Sequence, residues 1–420
     1  MSVNFARLNH ILIPTTKAGR DRFRASVTGR LLGPLAALYN ALSEEGRVIA
    51  MVTMGVGGFG MDVQNTAVYL LWSALAGLLV ASLALTRWHR LDGVRVVVDA
   101  PRRVTLGEAM TFLVSLYNDG PRDREAVRVH GPFLPWDGVW TGPAPRLATV
   151  PAGGVAHAEI VARFSARGEH HLDPFSASSL VPLGLAQGQA VTSAGVKFLV
   201  VPRLARVIRL TTPPGSRYQP GGVALASKTG ESMDLLGVRP YRAGDPVRLL
   251  HARSWARTGK PVVREYQEEY FSRIGVVVDA AAPDDRVLSA ILSLAAGVVA
   301  FLGRGEALID LLVVGDRVHD LTIGRHLGFL EQALDLLACV EQEKQRITPD
   351  RLMTRLASHL ARLSCVVVVA PAWDEGALAD RIRGAGVACT TLVVGSGAPG
   401  APGVRAVPVE AIEKGEALAL

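Results

Sequence analysis

Between residues 67 and 86 the chain reads AVYLLWSALAGLLVASLALT, twenty residues without a charge. No other feature restricts the fold so sharply. A helix of about 20 apolar residues, rising roughly 1.5 Å per residue, spans the hydrocarbon core of a bilayer. The run stops at Arg87, Trp88, His89 and Arg90, a basic and aromatic set suited to the lipid–water interface. The other physical solution for such a run is a helix buried in a protein core.

A second apolar run, VIAMVTMGVGGFGM at 48–61, lies just before it between Arg47 and Asp62. Its fourteen residues are short for a span. It either re-enters the membrane or extends through 62–65 to the far interface, and a tight helical hairpin over 47–90 is the expectation. Gly55, Gly57, Gly58 and Gly60 resemble a phosphate-binding loop, but no strand–turn–helix pattern surrounds them. Arg7, Lys17, Arg20, Arg22, Arg24, Arg30 and Arg47 precede the pair, and Arg87, Arg90 and Arg95 follow it. The connecting DVQNT carries no positive charge. The positive-inside rule then places both ends in the cytoplasm. The basic segment 1–46 shows no signal-peptide pattern.

The remaining composition fits a membrane-attached chain of several domains. At 420 residues two or three domains are expected. Hydrophobic residues make up 49% and the mean hydropathy is +0.27. The net charge of +7 could indicate nucleic acid or an anionic surface. Aromatics are only 6%, and no arginine run alternates with stacking side chains, so nucleic acid is set aside. Cys339, Cys365 and Cys389 are dispersed, match no metal spacing and sit in apolar contexts. They read as buried thiols in a reducing compartment.

From 91 to 205 the pattern turns to period two. MTFLVSLYNDG alternates and ends in a turn signal at Asn118, Asp119 and Gly120. VAHAEIVARF puts Ala156, Ala158, Ile160, Ala162 and Phe164 on one face, and GVKFLVVP closes the region. Short strands with Pro/Gly turns predict a β-sandwich. His170 and His171 lack a third ligand at metal spacing and read as a solvated strand end. Residues 206–222, with PPGSRYQPGG, read as a linker.

Beyond 223 continuous apolar strands alternate with helical patterns. RIGVVVDAAAPDD is a strand ending at Asp279, followed by a helix capped by Asp284 or Asp285. ALIDLLVVG, CVVVVAPA and VACTTLVVG are further buried strands. Thr348 and Pro349 open one of the later helices, and VRAVPVEAIEKG supplies a last strand and short helix. The order predicts a doubly wound α/β sheet. Its binding rim would comprise 279–284, Gly315 with Asp316, and 371–374.

The densest polar chemistry is GVRPYRAGDPVRLLHARSWARTGKPVVREYQEEY at 237–270. This run resembles the signature of the domain of unknown function 58 family. The match is carried by Gly237, Arg239, Tyr241, Gly244, Asp245, Arg248, His251, Arg253, Ala256, Arg257, Gly259, Val263, Glu265, Tyr266 and Glu269. The chain departs at Ala252, where the family usually has tryptophan, and carries Trp255 nearby. Upstream, ARGEHHLDPFSASSLVPLGL resembles a second family stretch, and the likeness covers about residues 45–410.

The resemblance implies a multi-domain protein: an N-terminal transmembrane helical hairpin, a β-sandwich, then an α/β doubly wound domain similar to von Willebrand factor A domains. Those hold a divalent metal through D-x-S-x-S. The matching positions here are Asp279, Ala281 and Pro283, so both hydroxyls are missing and neither metal nor other cofactor is expected. It further implies an adaptor in the bacterial inner membrane, with cytoplasmic soluble domains, that works with a MoxR-type AAA+ ATPase in assembly or maturation of protein complexes. The partners expected are that ATPase and the lipid bilayer.

For the signature itself three readings stand. Arg239, Arg248, Arg253 and Arg257 could form a self-satisfied network with Asp245, Glu265, Glu268 and Glu269. The same side chains, with Tyr241, Gly244, His251 and Trp255, could be a docking surface. Catalysis would rest on His251 alone, since RTGKP lacks the spacing of a phosphate-binding loop. The expectation is a protein that is not an enzyme; the alternative is a metal-dependent hydrolase using the sheet rim. Reporter fusions at residue 40 and at the C-terminus should both report the cytoplasm. Opposite locations would mean that 48–61 does not span.

Overall fold

The computed structural model describes residues 33, 37–59, 66–211, 219–220, 235–266, 270–271, 273–305, 307–314, 318–323, 328–342, 349–372, 377–395 and 403–420. Most of the basic segment 1–46, the hairpin connection 62–65, most of the PPGSRYQPGG stretch and Thr348 lie outside them. The chain divides into two compact units, Met1–Val200 and Val201–Leu420.

The first unit opens with two helices, α1 (Glu44–Phe59) and α2 (Thr66–Leu85). Ser43 caps α1, its hydroxyl accepting the Gly46 N–H at 3.0 Å. Gly57 lets the helices approach, because a Cβ there would strike Trp72. Val48, Met51, Val52, Leu70, Leu71 and Val80 remain exposed, so the pair presents apolar surface outward. Among the described residues two helices have the length and hydropathy to span a membrane, Ala67–Leu85 and Asp285–Leu302. Only 11% of the first is buried, against 67% of the second, which is a core helix.

The helices are fastened to an antiparallel β-sandwich. Its strands are β1 (Val94–Asp99), β2 (Arg103–Thr105), β3 (Ala109–Asn118), β4 (Arg124–His130), β5 (Gly138–Trp140), β6 (Arg146–Val150), β7 (Val155–Phe164), β8 (Gly168–Leu172), β9 (Ser176–Ser179), β10 (Val191–Thr192) and β11 (Val196–Val201). They form sheets ordered β1-β3-β7-β5, β10-β9-β4-β6 and β2-β11-β8. On β7, Ala158, Ile160, Ala162 and Phe164 are buried and alternate with exposed His157, Glu159 and Arg163, as the period-two pattern predicts. Phe112, Phe164, Phe175 and Phe198 fill the centre. Asn118 ends β3 as expected, donating to the carbonyls of Arg122 and Val150.

Fastening is both polar and steric. Arg128 of β4 is 2% exposed and makes a two-point contact with Glu45 of α1 at 2.8 and 3.0 Å. Arg146 reaches the same carboxylate. The Arg128 guanidinium beside Glu45 holds that carboxyl down at about 2. Ser43 donates its backbone N–H to the Leu185 carbonyl, and a Cβ at Gly46 would collide with that carbonyl. At the other end Gly188 packs on the His89 carbonyl, and Arg124 donates to the carbonyls of Arg90 and Asp92.

His170 corrects one expectation. His171 is exposed, but His170 is buried and stacks on Phe198. Its Nε2 faces Asp137 Oδ2 at 2.8 Å and its Nδ1 faces the Gly168 carbonyl at 3.0 Å. Burial pushes the imidazole pKa down, but these two acceptors outweigh it and the pKa is raised.

The second unit begins with β12 (Val207–Arg209), inside the segment expected to be a linker. It is structured because Val207 belongs to the core and pairs with the chain's last strand. The signature contributes β13 (Leu235–Pro240), α3 (Ala252–Thr258) and β14 (Val262–Tyr266). The sheet follows: β15 (Arg273–Asp279), α4 (Asp285–Leu302), β16 (Leu308–Val314), β17 (Val318–Ile323), α5 (Gly328–Ala338), α6 (Pro349–Leu360), β18 (Cys365–Ala370), α7 (Ala377–Gly384), β19 (Ala388–Val394), β20 (Val404–Val407), α8 (Val409–Glu413) and β21 (Leu418–Ala419). The strand order is β17-β16-β15-β18-β19-β20. All neighbours are parallel except the edge strand β17, which the sequence reading passed over. VHDLTI carries polar residues through its middle, as an edge strand can.

Helix α4 buries twelve residues against one face of the sheet. Cys365 packs on that side, whereas Cys389 packs with Leu356, Leu360 and Ile382 on the other. The third thiol, Cys339, is exposed, contrary to the expectation of a buried one. Deep in the sheet, Arg273 of β15 forms a bidentate pair with Asp310 of β16 at 2.8 and 3.0 Å. Asp310→Ala leaves that guanidinium without a counter-charge, with only the Thr322 hydroxyl beside it, and should destabilise the domain by about 3–5 kcal/mol. Thermal denaturation would show a clearly earlier transition for this variant.

Candidate functional site

The signature folds as a two-stranded ribbon carrying a short helix. β13 and β14 pair antiparallel, with Arg239 opposite Val263 and Gly237 opposite Glu265. The chain between them is clipped at its base: the Tyr241 N–H donates to Pro261 O, and the His251 N–H to Val262 O. Gly259, at φ +68°, ends α3 in the left-handed conformation. Gly244, at φ +106°, permits the turn before Asp245.

One of the four expected arginine pairs is present in the form anticipated. Arg239 grips Asp245 through both Nη atoms, at 2.7 and 2.8 Å. Asp245 also accepts the Arg242 N–H, and the Arg239 guanidinium holds its carboxyl down at about 2. The two side chains remain 27% and 17% exposed, so this is a half-buried clip. Arg248, Arg253 and Arg257 are exposed, and Trp255 is 43% exposed. Among the described residues Arg253 and Arg257 have no ion-pair partner. Glu268 and Glu269 lie outside the described residues, as does the side chain of Glu265. His251 is half-buried, its Nδ1 2.7 Å from Ser254 Oγ, and Tyr241 is exposed. Helix α3 buries none of its residues.

The sheet rim is built differently. Asp279 ends β15 with Oδ1 accepting the Ala281 N–H at 3.0 Å. Asp284 caps α4 through the Val287 N–H, settling which aspartate begins that helix. Ala280 and Ala282 are buried, and Gln342 donates to Ala282 O. Gly315, Asp316 and Asp374 lie outside the described residues. Among the described residues no three His, Cys, Asp or Glu side chains gather as metal ligands. The sequence reading overlooked Glu45 with Arg128, His170 with Asp137, and Arg273 with Asp310. Their only signal was a charge in an otherwise apolar strand or at a helix start.

No family model matches the chain, and no curated protein matches it. Among solved structures, it is similar to the CARDB domain of PF1109 from Pyrococcus furiosus at 11% identity and a TM-score of 0.17, over 26% of this chain and 94% of that one. It is also similar to Escherichia coli alpha-2-macroglobulin at 13% identity and a TM-score of 0.20, over 36% of this chain and 20% of that one. Likenesses this weak carry no argument about fold or function.

Asp245→Asn removes the charge that holds the loop and should raise amide exchange around Arg242, with little change in the melting of the whole chain. In the wild type the carboxyl is depressed from 3.8 to about 2, so the clip is fully present above pH 3.8 and is lost as the pH falls through about 2. Exchange measured across that window checks the sign. Equal exchange in both proteins at neutral pH would remove the clip's role.

Proposed function

We propose that this protein is a membrane-anchored adaptor of the domain of unknown function 58 type. Its α/β domain, von Willebrand factor A-like, docks a MoxR-type AAA+ ATPase at the cytoplasmic face of a bacterial inner membrane. The observation that carries the docking role is the exposed Arg253, Trp255 and Arg257 on a helix that buries nothing in its own chain. Arginine and tryptophan are the side chains most enriched where binding energy concentrates. The partner's identity comes from the family resemblance alone.

The anchor is α2, whose apolar surface faces outward over the length needed for a bilayer. Anchoring would concentrate the docking domain at the membrane surface and favour partners there. The alternative of a hydrolase at the rim has less support. Asp279 already accepts a backbone N–H, Asp284 caps a helix, and positions 281 and 283 offer no side-chain oxygen.

Tagged full-length protein, extracted in mild detergent, should co-purify a AAA+ ATPase, and an Arg253→Ala, Arg257→Ala variant of verified fold should retain clearly less. Wild type that retains no ATPase, with or without nucleotide, would defeat the assignment. Equal retention by both proteins would keep the partner and remove the surface.

A further inference from the structure

The first unit holds a cleft of about 520 Å³ where α2 runs out into the sandwich. It lies within the range of small-molecule sites, about 300–1,000 Å³.

Two non-glycine residues adopt left-handed backbone among the described residues, Ala126 at φ +50° and Leu183 at φ +74°, and both line this cleft. Strain of this kind persists where something else over-determines the conformation, and it gathers at binding sites. Leu183 is the clearer case. The Gly184 N–H bonds back to Val181 O at 2.8 Å, and Pro182 precedes a residue at φ +74°, ψ −7°. That is the third position of a type II turn, where glycine or asparagine is normal. The chain instead places a leucine there, 73% exposed. Trp88, 78% exposed and three residues beyond the end of α2, also lines the cleft.

The charges of the lining are mixed. Arg124 spends its Nη atoms on the carbonyls of Arg90 and Asp92, but its Nε is buried with no partner among the described residues. Arg90 lines the cleft beside it. Asp123 and Glu125, both exposed, line it too, and Asp123 Oδ1 accepts the Ala152 N–H at 2.8 Å. Two guanidinium groups and two carboxylates thus line one cleft, so neither a purely anionic nor a purely cationic ligand complements the lining. A molecule carrying a phosphate and an ammonium group does.

We propose that this cleft seats the headgroup of a phosphoethanolamine lipid. The phosphate lies against Arg90 and Arg124, the ammonium group donates to Asp123 and Glu125, and Trp88 and Leu183 enter the headgroup–acyl boundary beside it. This rests on the reading of α2 as a membrane span, which puts the cleft at the lipid–water interface. Tryptophan favours that depth, and an exposed leucine there is covered by lipid. The ammonium N–H groups distinguish this headgroup from choline, which has none to donate to a carboxylate.

The test uses full-length protein in nanodiscs of phosphatidylethanolamine, phosphatidylglycerol and phosphatidylcholine in equal parts with matched acyl chains. Lipid kept after detergent transfer is identified by native mass spectrometry. Wild type should keep phosphatidylethanolamine severalfold over both others. Glu125→Gln should move the ethanolamine-to-choline ratio toward one. Leu183→Gly relieves the turn's strain and should melt no earlier than wild type, yet keep less lipid, which a purely structural loop would not do. Equal retention of the three lipids, a preference for phosphatidylglycerol, or an unchanged profile in Glu125→Gln would overturn the proposal. So would equal saturation by soluble phosphoethanolamine, which would make the ligand a free metabolite. Flotation with vesicles of phosphatidylcholine alone reports anchoring separately. Protein that floats but keeps no ethanolamine lipid loses only the headgroup site, and protein that does not float loses the membrane reading with it.

Discussion

The first unit depends on one buried guanidinium. Arg128 sits in the middle of β4 at 2% exposure, on the face opposite to the core residues Val127 and Val129. Taking that charge out of water costs several kcal/mol unless it is paired. The pair comes from Glu45, 83 residues earlier, in the first turn of α1. Without α1, Arg128 and Arg146 of the sandwich both lose their shared carboxylate partner. Placement at a helix N-terminus favours the carboxylate further, since the helix dipole is positive there. Helix position and sandwich formation are coupled through this contact.

That coupling explains what could be read in the sequence and what could not. Patterns of period two and continuous valine runs survive because each strand's burial is set by its own sheet face. RIGVVVD and CVVVVA became the inner strands β15 and β18, covered on both sides. Ion pairs carry no such local signature. Nothing near VRVH in β4 announces that its arginine will find a glutamate beside the apolar run of 48–61. The same holds for Asp310, one acid among ALIDLLVV, whose partner begins a strand 37 positions away. His170 was misjudged because alternation places it inward, while its chemistry suggested solvent. Asp137, from a turn 33 residues earlier, supplies the acceptor that makes burial tolerable.

Composition also fails to separate two very different helices. Ala67–Leu85 and Asp285–Leu302 have hydropathies of 2.1 and 1.8, and either could cross a bilayer by length. Their surroundings decide. Strands with Val276, Val278 and Leu311 cover α4, and Asp284 caps its start. α2 has one helical neighbour and the sandwich at its end, so most of its apolar face is left outward. The sequence signal for this difference was the flanks. Arg87, Trp88, His89 and Arg90 suit an interface, whereas Asp284 and Gly303 are the ordinary cap residues of a soluble helix.

The signature region follows a third logic. Isolated helices of fewer than about 12 residues are marginal in water, and most helices in proteins are held by an apolar face. α3 has seven residues and buries none of them. It is held by its ends: backbone bonds from Tyr241 and His251 to the returning strand, a glycine C-cap at Gly259, and the Arg239–Asp245 clip upstream. Among the described residues these contacts do not involve the side chains of Arg253, Trp255 or Arg257. Ordering long side chains on a rigid segment before an encounter lowers the entropy lost on binding. Holding a helix by its ends supplies the order that an apolar face would otherwise provide. It also explains why a stretch with no hydrophobic period keeps a defined backbone.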